Sequence, residues 1–236
     1  MTEQQRTTGG ELKVLTSNSM RGVMVPIAEQ FEKTSGYKLA VSYDPAKVML
    51  RRIAAGESAD VAILGKPAID TLTIEGKIDG NSRRTLARCG VGVAVRAGAP
   101  KPDISSIDAL KRSLLAAKSI AYTTEGASGM YFSGLIERLG IADDIKAKAR
   151  TTPGGLTGEF VATGEVELAV QQVPELLAVP GVELVGPLPQ QVQNISTNAA
   201  GIFTNTHHRD AAQALLDFLM TSESKRIFRS KGLEPA

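Results

Sequence analysis

The sequence has no tryptophan, and its six phenylalanines and four tyrosines leave aromatics at 4% of 236 residues. Stacking platforms for sugars or nucleic-acid bases therefore have little material, which argues against both ligand classes. A single cysteine, Cys89, excludes an intrachain disulfide and any multi-cysteine metal site. It stands in the apolar run Cys89-Gly90-Val91-Gly92-Val93, where an inert buried thiol is expected. The two histidines, His207 and His208, are adjacent in a polar stretch and read as surface residues, not as a catalytic pair. The sequence contains no Gly-x-x-x-x-Gly-Lys-Ser/Thr phosphate loop, no Gly-x-Ser-x-Gly elbow and no His-Glu-x-x-His zinc motif. No metal and no cofactor is expected.

Charge of one sign is missing too, with 27 Lys and Arg interspersed among 25 Asp and Glu. This balance supplies no basic face for nucleic acid, so a charged partner should be small. No run approaches the about 20 apolar residues that cross a bilayer, and the opening Met1–Gly10 is polar, without a hydrophobic leader. The expected compartment is the periplasm if a leader has been removed, and the cytoplasm otherwise. What is present is apolar content of 42%, enough to bury the core of one large domain or of two lobes in a monomer.

Leu12–Leu15 reads as a strand that runs into Thr16-Ser17-Asn18-Ser19, dense in helix-capping residues. A helix is expected from about Met20, with Val23, Ile27 and Phe31 as its buried stripe and Gly36 as its stop. The unit repeats with strand Leu39–Tyr43, the cap Asp44-Pro45, a helix to Gly56 and strand Asp60–Leu64. Successive strand-helix-strand units predict a parallel sheet flanked by helices. The glycine-bearing strand near 89–97 changes the texture, and the strand-helix pattern then restarts: helix 107–117, strand 119–122, helix 129–139, a helix carrying Phe160 and Val161, and strands 167–170 and 182–185. An extended segment at 195–204 precedes two closing helices, about 209–220 and 222–230. The fold class is therefore α/β, with two Rossmann-like lobes joined by two crossover strands. Residues 1–90 with 200–236 are assigned to the first lobe and 91–199 to the second, with a ligand cleft between them. A single-lobed doubly wound sheet is the alternative.

Ligands of open α/β sheets bind beyond the carboxyl ends of strands. Four loops at such positions carry hydroxyls, glycines or an ammonium group instead of acids: Thr16-Ser17-Asn18-Ser19, Pro45-Ala46-Lys47, Gly126-Ala127-Ser128-Gly129 and Pro153-Gly154-Gly155-Leu156. Each would aim backbone N–H groups and the positive end of a helix at the cleft. Any one loop alone is an ordinary cap for its own helix; four together predict an anion site.

On these loops the chain resembles the periplasmic molybdate-binding protein family, a branch of the type II solute-binding proteins of ABC transporters. The resemblance is carried by Val14–Ser19, by Arg51–Ile63, by Ala127-Ser128-Gly129 and by the closing segment from Phe218-Leu219 to Gly232-Leu233. It implies a type II periplasmic binding protein fold and an ABC permease as partner. It also places Ser19 on the family's first oxyanion-binding serine, Ser128 on a backbone donor and Gly154-Gly155 on another. Ser17, Asn18 and Gly129 accompany them. Two positions depart from the pattern. The loop of the family's second serine reads Asp44-Pro45-Ala46-Lys47, and a family tyrosine is replaced by Gln171.

Lys47 would add a formal charge to a site that otherwise uses neutral donors, and the Gln171-Gln172 amides both donate and accept. These departures move the expected ligand from molybdate or tungstate toward an organic carboxylate. At lower specificity the branch also resembles the aconitate isomerases. An isomerase would need a base, for which Lys47 and Tyr43 are the sequence candidates, although carboxylates nearby would raise a lysine's pKa and oppose that role.

Overall fold

The structure is a computed structural model describing residues 10–236, and the polar opening of the chain lies outside them. The first lobe begins with β1 (Glu11–Thr16), a 3-10 turn at Asn18–Met20, α1 (Arg21–Ser35), β2 (Lys38–Tyr43), α2 (Ala46–Ala54), β3 (Val61–Gly65) and α3 (Lys66–Ile74). Strand β1 pairs in parallel with both β2 and β3. Gly36 stops α1 as the spacing predicts: its φ of 77° is left-handed, and its N–H reaches Glu32 O. Helix α3 was not legible from the sequence, because Pro67 and the short apolar set Ala68, Ile69 and Leu72 follow β3 without a loop.

Strand β4 (Arg84–Arg96) is longer than the glycine-rich run suggests and crosses between the lobes. Through Gly90 it pairs antiparallel with β9 (Ile195–Ile202); from Val91 onward it pairs with β7 (Leu168–Gln172) and β8 (Val182–Pro187). The second lobe also contains α4 (Ile107–Ala116), β5 (Ile120–Thr123), α5 (Ala127–Arg138), α6 (Ala142–Lys146), β6 (Ala149–Thr152), α7 (Gly158–Ala162) and α8 (Val173–Leu177). Its parallel strands β6, β5 and β7 continue the sheet from β4. The chain ends in α9 (Arg209–Leu219), α10 (Ser222–Ser230) and β10 (Glu234–Pro235), the last of which pairs with the first half of β4.

Among the described residues, strand β9 pairs only with β3 and the first half of β4. The return passage between lobes therefore lies ahead of it, at 188–194, and not within 195–204 as the extended pattern predicts. The two passages are tied together by Gln193. Its Oε1 accepts from Val91 N at 2.8 Å, and its Nε2 donates to Val91 O at 2.9 Å. A Cβ on Gly90 would meet that amide at 2.9 Å, and one on Gly92 would meet Gly186 O at the same distance. The Gly90-x-Gly92 pair thus answers to close packing at the crossing.

Each sheet is buried on both faces. In the first lobe one core joins Val14, Met24, Ile27, Phe31, Leu215 and Phe228, and the opposite face holds Leu15, Met49, Ile53, Leu64, Ile69 and Leu72. The second lobe repeats this with Val93, Leu110, Tyr122, Phe132 and Ile136 on one side and Ala121, Val161, Ala169 and Leu176 on the other. At roughly 1.5–3 kcal/mol per large apolar side chain buried, these cores hold the sheets rigid and leave their carboxyl-end loops to carry function.

Candidate functional site

Loops from both lobes converge on one small cavity of about 70 Å³, lined by Ser17, Asn18 and Ser19, by Pro45 and Ala46, by Gly126 and Ala127, by Gly154 and Gly155, and by a floor of Thr123, Gln171, Gln172, Glu175, Ser196 and Asn198. A larger groove of about 510 Å³ on the second lobe, between Val95, Pro100, Ala117 and Leu168, shares no residue with it.

Ser17, Asn18 and Ser19 leave the end of β1 in a 3-10 turn that precedes α1. Ser17 N donates to Ile63 O, and the Ser17 and Ser19 hydroxyls lie 2.9 Å apart, so they share one proton between them and leave another to face the cleft. On the next loop Arg52 fixes the backbone that presents Pro45 and Ala46. Its guanidinium donates to Asp44 Oδ2 at 2.5 Å and to Ser42 Oγ at 3.0 Å, and takes both oxygens of Glu57.

Across the cleft, α5 starts after Gly126, and its first turn leaves N–H groups without helical partners. Helix and strand end approach so closely that a Cβ on Gly129 would sit 1.8 Å from Thr123 O. Gly129 is thus a packing requirement that lets Gly126 and Ala127 reach the cavity, while Ser128 is buried behind them. Gln171 is 1% exposed and turned into its own lobe. Its Oε1 accepts from Thr157 N and Thr157 Oγ1, both at 2.9 Å, and its Nε2 donates to Gly155 O at 2.8 Å. It positions the Gly154-Gly155 turn.

The structure brings together Ser17, Asn18, Ser19, Gly154, Gly155 and Gln171. It does not bring Lys47 or Tyr43 to the cavity. Successive helical residues rotate by about 100°. With Ala46 facing the cleft and Met49 and Ile53 facing the core, Lys47 points outward and is exposed. Tyr43 packs under Arg21, whose guanidinium carbon is 4.2 Å from the ring centroid, and burial pushes its phenol pKa up.

Four floor residues escaped the sequence reading. Thr123 and Asn198 are 2% and 3% exposed, and Thr123 Oγ1 and Asn198 Nδ2 have no hydrogen-bond partner among the described residues. The polar run Ser196-Thr197-Asn198 inside strand 195–202 was the available signal for Asn198. Ser196 Oγ accepts from Gln172 Nε2 at 3.2 Å, and Gln172 Oε1 accepts from Cys89 at 3.3 Å. Cys89 is buried, and its thiol is pushed up to about 12, chiefly by desolvation.

Glu175 stands three residues past the end of β7, and its Oε2 accepts from Gln172 N at 3.2 Å, as a helix-capping acid does. It is also the one ionisable side chain among the described residues that line the cavity. Burial pushes its carboxyl up to about 8, against a smaller lowering by the Gln172 hydrogen bond.

Two contacts close the mouth. Arg51 Nη2 of the first lobe is 2.9 Å from Glu125 Oε2 of the second, and Pro45 abuts Gly154 so tightly that a Cβ there would lie 2.8 Å from the proline ring.

The bacterial extracellular solute-binding protein family matches residues 12–234 of the chain. Among curated proteins, an aconitate isomerase of Pseudomonas sp is 36% identical over 95% of this chain and 87% of its own length. The molybdate-binding protein of Escherichia coli K12 is 25% identical over 94% and 88%. The solved periplasmic molybdate-binding protein of Azotobacter vinelandii superposes with a TM-score of 0.79 over 94% of this chain and 98% of that one, at 19% identity. The fold is thus that of type II periplasmic binding proteins, and the chain belongs to the bacterial extracellular solute-binding protein family.

Proposed function

We propose that this protein closes its two lobes over a small organic carboxylate in the cleft and presents it to an ABC transporter permease. The observation that carries the reading is the convergence of neutral donors from both lobes. The Ser17–Ser19 turn, the start of α5 and the Gly154-Gly155 turn surround a cavity in which Thr123 Oγ1 and Asn198 Nδ2 are buried without partners among the described residues. Uncharged, preorganised donors favour an anion, because each buried group left unpaired costs about 1–3 kcal/mol.

The choice of carboxylate over a metal oxyanion rests on the 36% identical aconitate isomerase, since Lys47 stands outside the cavity. A carboxyl held largely protonated at neutral pH can donate its O–H to an anion in the cavity. A polyacid larger than the present cavity is admitted when the lobes part at the Pro45–Gly154 and Arg51–Glu125 contacts. On this reading the protein acts outside the cytoplasmic membrane as a monomer.

Calorimetric titration and thermal shift with citrate, cis- and trans-aconitate, molybdate, tungstate and sulfate test the proposal. Stabilisation by the carboxylates and not by the metal oxyanions is the expected result. Binding of molybdate alone would refute the carboxylate assignment, and silence toward every anion would refute the site. A second reading, isomerisation of a bound polycarboxylate, is favoured by the activity named for the 36% identical relative.

A further inference from the structure

We propose that Glu175 is the catalytic acid–base of this cleft, moving one proton between the two ends of the allylic unit of a bound unsaturated polycarboxylate. The inference rests on the carboxylate reading above and deepens its isomerisation alternative by naming the residue that moves the proton. Its first support is position. Among the described residues Glu175 is the one ionisable side chain lining the cavity, and it is the side chain there that can move a proton to or from a ligand carbon.

The second support is the arrangement of the carboxyl. Helix α8 follows β7 of the second lobe but packs against the Asn18–Met20 turn and α1 of the first, as well as against β4 and β8. This holds Glu175 at the junction of the lobes. Oε2 is engaged by Gln172 N, while Oε1 has no hydrogen-bond partner among the described residues. The neighbouring polar groups on the packed elements are the Cys89 thiol of β4 and the Gln172 amide of β7, and no Lys, Arg or His pairs with Glu175 among the described residues. Burial pushes the carboxyl up to about 8, which keeps both protonation states accessible near neutral pH.

The step balances without a co-reactant. The Glu175 carboxylate takes a proton from the methylene carbon: a C–H bond breaks, an O–H bond forms, and the electron pair spreads over the allylic carbons and the attached carboxylate. The backbone donors of the cleft, with Thr123 and Asn198 in its floor, are the polar groups beside the charge that develops. The proton then returns from Glu175 to the far allylic carbon, so the double bond has moved one position and the carboxylate is regenerated. Rotation within the delocalised intermediate allows cis and trans products to interchange.

The test uses the full chain and trans-aconitate in deuterated buffer, with binding read by thermal shift and turnover by proton NMR. Wild type is expected to bind and to produce either the cis isomer or deuterium at the methylene or vinyl carbon. Glu175→Gln should bind within a few-fold and lose turnover by at least about 100-fold, with Glu175→Asp retaining a measurable fraction. Turnover at saturation should rise with pH and level off above the pKa of Glu175 in the complex. Wild type that binds without turnover, Glu175→Gln that turns over at the wild-type rate, or a flat wild-type pH profile overturns the catalytic assignment alone. Should Glu175→Gln fail to fold, the wild-type profile decides. Absence of binding by wild type overturns the carboxylate reading and this inference together.

Discussion

Replacing Glu175 by Gln should stabilise the protein, and by an amount that depends on pH. The carboxyl is ordinary at 4.5 when the chain is unfolded and is pushed up to about 8 in the fold by burial. Between those values the folded state holds a proton that the unfolded state has released. The contribution of Glu175 to stability is therefore greatest below pH 4.5, falls as pH rises, and reaches its floor once pH passes about 8. At about 1.4 kcal/mol per unit, the loss is about 3 kcal/mol at pH 7 and at most about 5 kcal/mol above pH 8. Glutamine keeps the shape and a carbonyl oxygen to accept from Gln172 N, yet never ionises.

The expected gain for Glu175→Gln is therefore about 2–3 kcal/mol at pH 7, or about 5–10 °C in Tm for a chain of this size. It should shrink to nothing near pH 4.5. Urea unfolding of both proteins from pH 5 to pH 9 measures it. If the two stability curves run parallel across that range, Glu175 is not a buried protonated acid and the electrostatic account of the cleft is wrong.

Lys47→Ala should leave anion affinity unchanged within about twofold, since the side chain is exposed and outside the cavity; a tenfold loss by calorimetry would contradict the placement. Gly129→Ala forces a methyl into Thr123 O and should cost about 1–3 kcal/mol while displacing the first turn of α5, so both Tm and anion affinity are expected to fall. Arg51→Ala removes an exposed pair across the mouth, worth about 0.2–1 kcal/mol, and should weaken binding by up to about fivefold at low salt with no difference from wild type at high salt.

Local chemistry made much of this protein legible. The fourfold spacing of Val23, Ile27 and Phe31 gave α1 its buried face. Gly36 marked its end, and the alternation of strand and helix gave the α/β class. Helix α3 was missed because it follows β3 without a loop, and α6 and α8 because five residues carry barely more than one turn of periodicity; α7, equally short, is announced by the Pro153-Gly154-Gly155 turn. The loops at Ser17–Ser19 and Gly154-Gly155 stood out only as part of a set, since any one of them reads as a cap for its own helix; in the structure both line the cavity.

What the sequence by itself determined, then, was the class of site: hydroxyls and glycines at strand ends, without aromatics, metal ligands or a basic face, suit a small anion. Only the tertiary structure decided which side chains meet there. Lys47 and Ala46 are neighbours in the chain, but a helix turns them to different sides, so one lines the cleft and the other meets solvent. Thr123, Glu175 and Asn198 are scattered along the chain and become one floor where the lobes join. Glu175 gains its altered acidity in the same way, since burial is a property of packed neighbours from several elements and no single segment records it.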